Sequence, residues 1–186
     1  MIKKICSSCS LIILLTIADR ALAQDLHFSQ YFNAPLVTNP ANTGFEPDAD
    51  WRVGINYRNQ WAGVLSNPYK TMSAWGDAQI FNQRFENAWM GAGGMIVKDV
   101  AGSGNLSSTK VYGSIAYHQL LGLNSLISGG VGIGAVNKRI DVTKLTFNDQ
   151  WNGKFFDIAI PTSEVFNTTS VWYLDVNLGL NYAVFP

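Results

Sequence analysis

Charge is scarce in this chain. Lys, Arg, Asp and Glu make up 14% of its 186 residues, and thirteen basic side chains balance thirteen acidic ones; soluble domains average about 25% charged. No basic stripe offers itself to a nucleic acid, so nucleic acid is not an expected partner. Cysteine is confined to Cys6 and Cys9. Both fall in a stretch with the form of a secretory signal: Lys3 and Lys4, a short apolar core over residues 11–17, and the small-residue cleavage site Ala21-Leu22-Ala23. Residues 1–23 are therefore read as a signal peptide and Gln24 as the mature start, which leaves no disulfide and no Cys metal site. Cys9 precedes the apolar core, which excludes a lipoprotein signal. Later in the chain no run of 18 apolar residues occurs, so no helix is expected to span a membrane. Histidine is limited to His27 and His118, and neither has partners at metal-ligand spacing. No Ser-His-Asp, Cys-His or paired-carboxylate constellation is visible, so no enzyme, cofactor or small-molecule substrate is expected.

Against these absences stand 12% aromatic residues, 17 glycines and a persistent alternation. Over residues 171–182 one set of alternate positions reads Trp172, Leu174, Val176, Leu178, Leu180, Tyr182. The other reads Val171, Tyr173, Asp175, Asn177, Gly179, Asn181. Period-2 patterning of this length specifies a β-strand with different solvents on its two sides. Its length suits the roughly 9–11 residues that cross a bilayer as tilted β. Similar runs occupy residues 51–60, 69–81, 88–97, 106–121 and 126–137. The polar faces carry Arg52, Arg58, Asp77, Lys110, His118 and Asp175, all assigned to a lumen side. A lipid-facing Arg or Lys at the bilayer midplane costs about 2–4 kcal/mol, and a lumen position avoids that cost. A half-buried soluble sheet sorts charge in the same way.

The connections discriminate further. Residues 82–87 and 122–125 make short links, 61–68 and 98–105 longer ones, and 138–169 a loop of about thirty residues. Tight periplasmic turns alternating with longer extracellular loops are the habit of outer-membrane barrels. The expected fold is thus all-β, a transmembrane antiparallel up-and-down barrel. About six strands are present where closure usually needs about eight, which implies a partial barrel from a truncated or longer protein. Residues 24–50, interrupted by Pro35, Pro40 and Pro47, form an irregular periplasmic leader, and residues 51–186 the barrel part.

The leader and the first strand carry specific residues. Gln24-Asp25-Leu26-His27-Phe28-Ser29-Gln30-Tyr31, then Pro35-Leu36, Asn39-Pro40-Ala41 and Gly44, resemble the mature N-terminus of the PorP/SprF family, outer-membrane proteins of the type IX secretion system in Bacteroidetes. Tyr57-Arg58-Asn59-Gln60-Trp61 followed by Pro68-Tyr69 and Thr71, the glycines from 91 to 94 with Asp99 and Gly102, Tyr117-His118, and residues 144–150 resemble it too. Ala62 and Asn42-Thr43 depart from the family pattern. The resemblance covers the N-terminal part of the family's usual length. It implies an outer-membrane barrel in contact with lipid, with secreted cargo bearing C-terminal sorting domains (gliding adhesins in motile species) and with periplasmic secretion components. The partner-contact candidates it marks are Phe28, Gln30, Tyr31, Asn39, Pro40, Gly44, Arg58, Gln60 and Trp61. The leader aromatics Phe28, Tyr31 and Phe32, with the Asn39-Pro40 turn, are placed to plug the lumen or dock a periplasmic partner.

Other motifs are weaker. Gly130-Val131-Gly132-Ile133-Gly134-Ala135 mimics a dinucleotide fingerprint, but its glycines lie inside a period-2 run, where they permit close backbone approach. Glu46, Asp48 and Asp50 lack the spacing of a calcium loop and read as a solvated turn. The Asn105 and Asn167 glycosylation strings are coincidental in a bacterial protein. Two rival functions remain at this point, a passive porin and a soluble exported β-sandwich that binds protein or glycan.

Overall fold

In the computed structural model the structure describes residues 31–184 apart from Glu86 and Leu123. The signal segment and the mature residues up to Gln30, including His27, Phe28 and Gln30, lie outside the described residues. After a 3-10 turn at Tyr31–Asn33, a one-turn helix α1 (Pro35–Thr38) and a second 3-10 turn at Pro40–Asn42, the chain enters six strands. They are β1 (Trp51–Gln60), β2 (Tyr69–Phe85), β3 (Ala88–Ala101), β4 (Leu106–Leu120), β5 (Ser125–Arg139) and β6 (Ser170–Val184). Each pairs antiparallel with the next, in the sheet order β1-β2-β3-β4-β5-β6. This is an up-and-down sheet that does not close, a partial barrel. Among the described residues no helix is long and apolar enough to cross a membrane.

The two faces differ as the alternation requires. Leu174, Leu178 and Leu180 are 77–80% exposed, and Ile55 on β1 is 85% exposed. The registers join them into one surface. Ile55 pairs with Ala74, Ala74 with Ile96, Ile96 with Val111, Val111 with Ala135 and Ala135 with Leu174, so one apolar row crosses all six strands. A continuous apolar face of this extent has no place in water and marks contact with lipid or protein. Aromatics bracket it: Trp51, Tyr117 and Tyr182 toward one end, Tyr57 and Trp172 toward the other. The eleven residues from Trp172 to Tyr182 rise about 33 Å along the strand, or about 25 Å at a barrel strand's tilt, the height of an outer-membrane apolar band.

Alternation in hydrophobicity stops before the strands do. β3 runs to Ala101 and β5 to Arg139, because the backbone ladder continues past the apolar band through polar positions. The β3–β4 link over residues 102–105 is therefore as short as the β4–β5 link over 121–124. The long connections that persist are 61–68 and 140–169. β2 also outlasts its expected end at Phe81. That residue takes φ 59°, the register shifts between Ile80 and Phe85, and pairing resumes at Phe85↔Ala88, the mark of a bulge.

Candidate functional site: the N-terminal segment seated on the polar face

The polar face is covered by the chain's own N-terminal segment. Residues 33–46 touch all six strands, and the surface that receives them is built from glycine and small polar side chains. A Cβ on Gly91 would lie 2.0 Å from the Thr43 carbonyl oxygen. On Gly130 it would lie 2.5 Å from the Ala41 nitrogen, and on Gly179 it would lie 1.8 Å from Asn39 Oδ1. The backbone of the segment at Ala41 and Thr43, and the Asn39 side chain at Gly179, thus occupy the space that side chains on the sheet would fill. Ala41 and Thr43 are fully buried there. Gly44 adopts φ +64°, a left-handed conformation that glycine enters without a Cβ penalty.

A polar network locks the seat. The Gly44 amide donates to Asp77 Oδ2 at 2.6 Å, and Trp89 Nε1 donates to the Gly44 carbonyl at 2.8 Å. The Thr43 and Ser114 hydroxyls are 2.7 Å apart. His118 sits 2.8 Å from the Thr43 carbonyl through Nε2 and 2.8 Å from the Ser128 hydroxyl through Nδ1. A carbonyl only accepts, so Nε2 carries the proton; in the neutral ring Nδ1 then accepts from Ser128. The ring stacks on Trp89 at 5.0 Å and meets Phe45 edge-on. Arg52 approaches Asp77 at 2.5 Å and also donates to the Asn42 carbonyl, so the Asp77 carboxylate, 1% exposed, is held by a guanidinium and a backbone amide. Toward β6, Asn39 Nδ2 donates to the Leu180 carbonyl and Asn181 Nδ2 to Asn42 Oδ1. Toward β1 and β2, Asn56 and Trp75 both donate to the Asn33 carbonyl. Most bonds to the segment end on its main chain, which satisfies backbone groups that no ladder pairs.

The residues singled out from sequence divide accordingly. Asn39, Pro40 and Gly44 lie in the seat. Arg52, Asp77 and His118 form its far wall, and His118 is fully buried inside the network. Asp175 accepts from the Tyr112 hydroxyl at 2.5 Å, and Lys110 lies on the same face beside Tyr112. Arg58 donates to Gln60, while Trp61, with φ 60°, packs edge-on against Tyr69. This group stands at the opposite end of β1 from Arg52. Tyr31 and Phe32 are 64% and 66% exposed, so the described packing is made by Asn33, Ala34, Leu36 and residues 39–46 and not by these two rings. The reason is shape: a floor of glycines accepts backbone, not rings. The acidic turn bonds to β2 through main-chain carbonyls, Glu46 accepting from Gln79 Nε2 and Asp50 from the Gln79 amide. No group of three or more His, Cys, Asp and Glu side chains converges among the described residues. Sequence reasoning missed Thr43, Trp89, Ser114 and Ser128. The sequence traces of the seat are the Asn39-Pro40 and Gly44 motifs and the run of inward glycines on β5.

No curated protein and no solved structure matches the chain. A family model does, that of the type IX secretion system membrane protein PorP/SprF, over residues 21–184. With an apolar outer face, a polar inner face and a match spanning nearly its whole length, the chain belongs to the PorP/SprF family of type IX secretion membrane proteins.

Proposed function

We propose that this protein sits in the outer membrane and acts in type IX secretion by binding, not by catalysis. It helps to export or display cargo that carries C-terminal sorting domains, including gliding adhesins in motile species. The N-terminal segment enters from the periplasm and the loop over residues 140–169 faces outward. Periplasmic secretion components and cargo meet the barrel where the seated segment closes the lumen. The observation that carries this reading is the seat itself: residues 33–46, bonded to five strands and packed closely on Gly130 of the sixth, β5, cover the face that a diffusion pore would leave open. A steady open channel from the wild-type protein in planar bilayers would favour the porin instead. The functional test deletes residues 39–44 from the full chain in cells. Cargo at the cell surface is expected to fall although the protein still inserts. Normal cargo display by the inserted deletion variant refutes the role.

A further inference from the structure

The outward face of the sheet carries charge at three described positions only, and all three are cations at one end. They are Lys70 on β2, Lys98 on β3 and Arg139 on β5. Lys70 pairs with Val100, Val100 with Ser107 and Ser107 with Arg139, so Lys70 and Arg139 share one row. Lys98 stands one step inward, between Met72 and Thr109. The same alternation places Ile96 and Ala135 below them; Lys98 lies level with Tyr57 and Trp172, and Lys70 and Arg139 stand one step beyond, so the cations crown the apolar band. All three are exposed. Lys98 and Arg139 open onto a common cleft of about 300 Å³ that Ser107 and Asn105 also line. They lie on strands two apart, roughly 10 Å across the ladder and about 7 Å along it, within reach of one phosphate or of two on one headgroup. Asp141 borders the cleft, but its carboxylate accepts from the Thr143 amide and hydroxyl and lies 3.7 Å from Lys144. Solubilising lysines need no such sorting. The inner face at the same level mixes signs, with Arg58, Asp99 and Lys138.

We propose that Lys70, Lys98 and Arg139 form a binding site for the phosphate groups of an outer-leaflet glycolipid, which is held against the outer wall at headgroup depth. Cations at this depth attract anionic headgroups while their stems lie along apolar surface. The site rests on the reading that the end bearing residues 140–169 faces out of the cell. The full chain is placed in phosphatidylcholine nanodiscs doped with bis-phosphorylated lipid A, and retained lipid is measured by native mass spectrometry. The K98Q/R139Q variant is expected to bind about 25-fold more weakly and K70Q/K98Q/R139Q about a hundredfold, at roughly fivefold per cation. K138Q/K154Q, which removes equal charge elsewhere, should bind as wild type does. Equal retention by all variants, equal binding of dephosphorylated lipid A, or displacement by millimolar inorganic phosphate overturns the site. A thiol at S163C, probed on intact cells with an impermeant maleimide, separates the two claims. Labelling without phosphate preference sinks the lipid site alone; absence of labelling sinks the orientation and the site with it.

Discussion

Replacing Gly91 by Ala tests the seat directly. The new Cβ would meet the Thr43 carbonyl oxygen at 2.0 Å and Gly44 Cα at 2.9 Å, both backbone atoms that no rotamer change can move aside. An ordinary contact needs about 3.4 Å, and close-packed interiors do not absorb an overlap above 1 Å. The segment must lift. Lifting breaks the bonds from Thr43 to His118 and Ser114 and from Gly44 to Trp89 and Asp77. Three neutral bonds at about 1 kcal/mol each and one to a carboxylate at about 2 give roughly 5 kcal/mol, enough to reverse the docking of a short segment. The assay uses an N42C/N181C pair, whose parent side chains are 3.1 Å apart, and a short bifunctional thiol cross-linker in the membrane-inserted protein. Gly113→Ala serves as control because a Cβ there has nothing within 4 Å. The cross-link should form in the parent and in the Gly113 variant and drop at least tenfold in Gly91→Ala. Undiminished cross-linking in Gly91→Ala refutes the claim that glycine at this position admits the segment.

Three further outcomes follow from the same geometry. Asp77→Asn leaves Arg52 without its carboxylate and weakens the Gly44 bond, and should lower unfolding stability in detergent by about 3–5 kcal/mol; denaturant titration measures it. Leu178→Arg on the outer face should cost about 2–4 kcal/mol of membrane-folded stability, while Asn177→Arg on the inner face costs less; equal costs would contradict the assigned faces. In the loop over 140–169, the Ser163 amide, at 2.6 Å, holds the Asp149 carboxyl below its ordinary range, helped by the Ser163 and Thr162 hydroxyls. The depressed value means that this tether is present at neutral pH and is lost as pH falls through the folded-state value. Amide exchange at Ser163 should therefore accelerate below the usual carboxylate range, and Asp149→Asn should abolish that acid dependence.

Much of the wall was legible in the sequence. Period-2 alternation sorts Leu174 from Asp175 and puts Arg52 and Asp77 on one face, because each strand presents its side chains to two solvents. Register was not legible, so the meeting of Arg52 with Asp77, and of His118 with Ser128, had to await the ladder. The bulge at Phe81 left no glycine or proline to announce it. The seat was the least legible part. Its contacts link residues 71 and 75 positions apart, such as Thr43 with Ser114 and His118, and depend on where a non-repetitive backbone lies. The inward glycines on β5 showed that something approaches closely, without showing what. The leader aromatics drew attention through chemistry, whereas the space available was shaped for Asn39, Ala41 and Thr43.

The anchoring of the N-terminal segment also orders assembly. Its bonds reach Asn56 across 23 residues, Asp77 across 33, Trp89 across 45, Ser114 across 71 and Asn181 across 139. Closing a loop of 139 residues in one step would forfeit about 4 kcal/mol of chain entropy, but each strand added to its neighbour shortens the remaining span. A segment gripped in this order would serve as a mandrel around which β1 to β6 wind in turn. A lesion early in the mandrel should stall winding at the first strand it fails to grip, and the stranded intermediate would expose apolar ribbon to water.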